Sequence, residues 1–85
     1  MNDSVVRTFD DALSWRRCRA PIITVYKHPV DYPTKYVARL FDLEAQTPFV
    51  VLADTLHEVR KAIPARFIKF PPDQCDDSHI IEVYV

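Results

Sequence analysis

Eighty-five residues, 48% hydrophobic and 27% charged, make one folded domain with one small core and exclude a disordered chain. A formal net charge of −1 offers no bulk attraction to nucleic acid or anionic membrane, and no apolar run nears the ~18–20 residues that span a bilayer. Glycine is absent, which excludes phosphate-cradling loops, dinucleotide fingerprints and the glycine-dependent nucleophile elbow.

Asn-Gly and Asp-Gly hairpin turns are excluded for the same reason, so connections are expected to be longer and stiffened by the seven prolines. The segment Met-Asn-Asp-Ser-Val-Val-Arg lacks the basic start and apolar stretch of a signal peptide. Cys18 and Cys75 are too few for a disulfide framework. A cytoplasmic protein with two reduced thiols is the expectation.

Residues 1–20 read as an N-terminal helical extension. Asp10 and Asp11 precede Arg16, Arg17 and Arg19, a polarity that suits a helix dipole, and Phe9, Ala12, Leu13 and Arg16 share a face. The pattern predicts a helix over about 9–18. Pro21 to Lys27 is a β-branched and aromatic strand, followed by a proline-rich loop from His28 to Thr34. Lys35 to Leu43 alternates as a second strand, and Glu44 to Thr47 reads as a turn.

Phe49-Val-Val-Leu52 is apolar without alternation, as in a strand covered on both faces. Thr55-Leu-His-Glu58 then fits a capping box, and Leu56, Val59 and Ile63 recur at helical spacing until Pro64 stops the pattern. The predicted helix, about 55–63, is too short to stand alone in water and must lie on a sheet. Arg66 to Phe70 and His79 to Val85 supply further strands, separated by an acidic, proline-led loop. The expected fold is α+β, residues 21–85 forming a mainly antiparallel sheet of four to five strands with the helix packed on it, all within one domain of residues 1–85.

Tyr26-Lys-His-Pro-Val-Asp-Tyr-Pro33, Asp54-Thr-Leu56 and the closing Ile-Glu-Val-Tyr-Val give the chain a recognisable pattern. Over residues 22–85 it resembles small uncharacterised bacterial proteins that share a Tyr-Lys-X-Pro-X-Asp-Tyr-Pro loop and an Asp-Thr-Leu helix start. That resemblance implies no known activity and assigns no functional residue.

The loop is the leading candidate surface. Pro29 and Pro33 fix φ at its two ends, so His28, Asp31, Tyr32, Lys35 and Tyr36 are offered at low ordering cost. The bland reading is that the prolines only shape a hairpin connection while Tyr32 covers a sheet edge. Arg16, Arg17 and Arg19, with the strand tyrosines, form the alternative, a nucleic-acid-binding surface. A solvated helix end accounts for the same arginines.

Cys75 and His79 stand four apart, yet a zinc site would need further ligands from Cys18, His28 or His57, and no Cys-x-x-Cys pair supports one. A cysteine–histidine nucleophile would also need an orienting group and an oxyanion site. His57, in the first turn of the helix, reads as a surface residue. The expectation is therefore a non-enzymatic binding or protein-interaction module without cofactor or metal. Its size equally suits a phage-borne inhibitor that occludes another protein.

Overall fold

The computed structural model describes residues 3–9, 18–43, 45–72 and 78–85. Seven elements follow one another: β1 (Ser4–Val5), β2 (Pro21–Lys27), β3 (Tyr36–Asp42), β4 (Ala45–Ala53), α1 (Leu56–Lys61), β5 (Lys69–Phe70) and β6 (Ile80–Tyr84). The strands form one sheet in the order β1-β4-β3-β2-β6-β5, mixed because β1 runs parallel to β4 while the other pairs are antiparallel. The class is α+β, as the order of elements suggests.

Two details of that expectation change. The sheet has six strands among the described residues, because two two-residue strands flank the four longer ones. One of them, Ser4–Val5, lies in the segment read as a helical extension. Its two residues are too few to show a period. The helix expected over 9–18 falls, apart from its two ends, outside the described residues.

The β3–β4 connection is shorter than predicted. Asp42 already pairs with Ala45, within the stretch from Glu44 to Thr47 that was expected to be the turn. Leu43 holds φ 56, the left-handed position that glycine normally takes. Asp42 braces this corner by accepting the backbone N–H groups of Arg19 and Ala20 on its Oδ1 at 3.1 and 3.0 Å. The β3–β4 register slips between Arg39 and Phe41, close to Pro48, which has no N–H to donate. There the Thr47 hydroxyl donates to the Leu40 carbonyl at 2.7 Å, in place of a ladder N–H.

Thr55 caps α1 in extended geometry, φ −130 and ψ 155, accepting the Glu58 N–H on Oγ1 at 3.2 Å. Its hydroxyl proton goes to Glu58 Oε1 at 3.1 Å, so the carboxylate closes the box on the side chain. The helix stops at Lys61, short of the predicted end. Ala62 and Ile63 donate to the carbonyls of Val59 and Arg60, tightening the last turn before Pro64.

Packing explains why so short a helix holds. Ile23, Val25, Ala38, Leu40 and Val51 from the three middle strands meet Val59, Ala62, Ile63, Phe67 and Phe9 in one core. Val50 and Val51 are both buried, which accounts for the unbroken apolar run. Val50 pairs with Arg39, and Val51 with Ala38, so the two residues face opposite sides of the sheet. Only one of those sides carries α1.

Candidate functional site

The loop between β2 and β3 is built from two successive turns. The Tyr32 N–H donates to the Pro29 carbonyl at 3.0 Å and the Lys35 N–H to the Tyr32 carbonyl at 3.1 Å. The His28 N–H closes the loop on the Lys35 carbonyl at 2.9 Å. With no glycine available, His28 takes the left-handed corner at φ 49, a region histidine enters more readily than most residues. Its ring meets Tyr36 edge-on, with centroids 5.2 Å apart. Pro29 is buried, and Val30 at the tip is 87% exposed.

Beneath the loop lies a buried charge that the sequence pattern did not single out. Arg39 alternates with Val37 and Phe41 on the face of β3 away from α1, and its side chain is 8% exposed. A buried guanidinium is tolerated only when paired and hydrogen-bonded. Its Nη1 and Nη2 donate to the two carboxylate oxygens of Asp3 at 2.8 and 3.1 Å, a two-pronged contact. Nη2 also donates to Asp31 Oδ2 at 3.3 Å, and the Tyr32 hydroxyl donates to Asp3 Oδ2 at 2.8 Å.

These contacts set the electrostatics. Arg39, assisted by the Tyr32 phenol, holds the Asp3 carboxyl below its usual value although burial acts the other way. The Tyr32 phenol is raised, because its proton is hydrogen-bonded to that carboxylate. The Arg39 guanidinium is raised as well, chiefly by Asp3.

Asp31 and Tyr32 are thus brought together, but not as a displayed pair. Tyr32 is half-buried and turned toward Asp3, a brace for the loop, while Asp31 stays exposed. Lys35 leaves that cluster and pairs with exposed Asp54, a surface contact of small worth. Tyr36 packs against the core on the α1 side of the sheet. Tyr26, paired with Val37, faces the other side, so the strand tyrosines do not make one stacking platform. Arg16 and Arg17 lie outside the described residues; Arg19 is exposed.

A second buried carboxylate, Glu82 of β6, went unnoticed in the sequence. Arg60 of α1 grips both its oxygens, with Nε to Oε1 at 3.1 Å, and the Tyr84 hydroxyl donates to Oε1 at 3.0 Å. Lys69 Nζ stands 3.7 Å away. Arg60 chiefly lowers the Glu82 carboxyl from its usual value, and burial chiefly raises the Tyr84 phenol. Glu82 forms one wall of an open pocket of about 290 Å³ with Lys69, Phe70, Pro71, Pro72 and Ile81.

Each of these carboxyls, Asp3 and Glu82, is held below its usual value, chiefly by an arginine and further by a tyrosine hydroxyl. Among the described residues, no three His, Cys, Asp or Glu side chains gather where they could hold a metal ion. Cys75 lies outside those residues, so its proximity to His79 is not described. No helix among them is long and apolar enough to cross a membrane. Compared with protein-family models, curated proteins and solved structures, the chain matches none.

Proposed function

We propose that the protein is a non-enzymatic protein-interaction module whose working face is the 28–36 loop and the sheet beside it. The observation that carries this reading is a protruding loop already fixed in shape. Three backbone hydrogen bonds and two prolines define it, and the Arg39 cluster braces it from below. Such a surface loses little conformational freedom when a partner covers it. Val30 and Asp31 at the tip are the contact residues, and Tyr32 holds them in place. An inhibitor that occludes another protein is a narrower form of the same reading.

The test is affinity capture with the wild-type chain and with Val30→Glu, after checking that both melt alike. A protein retained by the wild type and lost by the variant supports the loop as the contact face. Equal retention by both places the contact elsewhere. Retention of the wild type on an oligonucleotide column at low salt, lost steeply as salt rises, would replace this reading with the nucleic-acid one.

A further inference from the structure

β1 has only two residues, yet the segment around it makes three separate kinds of contact. Ser4 and Val5 lie in parallel register with Phe49 and Val50, and the Val6 N–H donates to the Val50 carbonyl at 2.8 Å. Val6 packs against the core. Asp3 accepts from Nη1 and Nη2 of Arg39 and from the Tyr32 hydroxyl.

The receiving half of this arrangement comes from other elements. Arg39, Tyr32 and Val50 all belong to the β2–β3–β4 meander, which its own antiparallel pairing holds together. β4 is nine residues long, and among the described residues β1 pairs with only two of them on its outer edge. A buried guanidinium fork, a phenol and a strand edge largely unpaired among the described residues together make a receptor for an extended polypeptide carrying a carboxylate. Main-chain bonds along the edge supply affinity, and the fork supplies specificity.

We propose that this is a strand-docking site, filled in the unbound protein by residues 3–6 and taken in the complex by an acidic extended segment of a partner protein. The segment that fits repeats the pattern of Asp3 and Val6, a carboxylate three residues ahead of an apolar side chain. Charge complementarity selects it: Arg39 needs a carboxylate, so an incoming segment displaces Asp3 only by bringing its own. The internal segment has the advantage of its tether, an effective concentration on the order of millimolar. The partner offsets that advantage by pairing along more of β4 than two positions. The inference rests on the protein-interaction reading above and narrows it to a class of partner.

The probe is a labelled synthetic peptide with the sequence of residues 1–8, Met-Asn-Asp-Ser-Val-Val-Arg-Thr, and a control carrying Asn in place of its Asp. Both are titrated into the full wild-type chain and into Asp3→Asn, whose fold is first checked by melting. The Asp peptide is expected to bind Asp3→Asn at least tenfold more tightly than wild type, and the control peptide at least tenfold more weakly on the same variant. Amide spectra of the wild-type chain give a readout independent of that variant's stability. Spin-labelled Asp peptide in excess of the tether's effective concentration should broaden the Arg39, Val50 and Val51 amides, and the labelled control should leave them sharp.

No binding to folded Asp3→Asn, equal binding of the two peptides, or wild-type amides left sharp by the spin-labelled Asp peptide each overturns the proposal. Dimerisation of the wild-type chain, seen by light scattering and lost in Asp3→Asn, also overturns it and gives the groove to a second copy. The Val30→Glu capture reads the loop, and the peptide titration reads the groove. The docking site can therefore fail while the loop survives as a contact face, and the reverse outcome is equally visible.

Discussion

Asp3→Ala isolates the Arg39 cluster. The arginine it would strand is 8% exposed, while Asp3 is 17% exposed. Removing one partner of a buried pair costs about 3–5 kcal/mol, and Asp31, at 3.3 Å, remains as a second acceptor. The expected loss is therefore at the low end, about 3 kcal/mol. For a domain of this size that lowers Tm by about 12–24 °C.

The carboxyl of Asp3 sits below its usual value of 3.8 in the folded protein, so its contribution is complete above that value. It disappears as pH falls through the lower, folded pKa. The gap between wild type and Asp3→Ala should therefore be flat near neutrality and close only in acid. Melting followed by circular dichroism across pH measures both quantities. Adding Arg39→Met removes the stranded charge, and the double variant should recover part of the stability. Loss under half a kcal/mol from Asp3→Ala, or no recovery in the double variant, would refute the reasoning.

The remaining predictions test packing, a buried carboxylate and a backbone corner. Ile63→Ala, at a side chain 8% exposed, should cost about 2–5 kcal/mol in denaturant unfolding, and half-buried Leu56→Ala clearly less; the reverse order would contradict the packing of α1. Arg60→Ala should lower Tm and Lys61→Ala should not, although both look like surface positions in the sequence, because Arg60 holds Glu82. The folded Glu82 carboxyl lies below its usual 4.5, so the Arg60 effect should be present above that value and fade as pH falls through the lower one; identical melting of the two variants at pH 7 would count against the pairing. Leu43→Gly should stabilise by roughly 0.5–1 kcal/mol, since it relieves a left-handed leucine at the expense of added freedom in the unfolded chain. A lower Tm for that variant would show that the Leu43 side chain, 60% exposed, is worth more than the strain.

Local chemistry made much of the fold legible. The β-branched run after Pro21 became β2, the alternation from Lys35 became β3, and Thr55 with Pro64 bracketed α1 close to their expected places. Each of these signals spans a few neighbouring residues, where propensity and periodicity act. The absence of glycine was informative but led too far. It excluded an Asn-Gly turn correctly, yet Leu43 and His28 occupy positive φ because the paired strands on either side hold them there.

The candidate site was legible only in its outline. From the sequence alone, two prolines mark a stiff loop, and Arg39 between Val37 and Phe41, like Glu82 between Ile81 and Val83, is a local hint of a buried charge. Its partner Asp3 lies 36 residues away, and Glu82 lies 22 residues from Arg60. No period or motif links residues at such separations, because the sheet order β1-β4-β3-β2-β6-β5 brings them together. Composition and local pattern decided the class, the main strands and the cap of the helix. Tertiary pairing alone decided which charges are buried, since a buried charge depends on an opposite charge that arrives from another element.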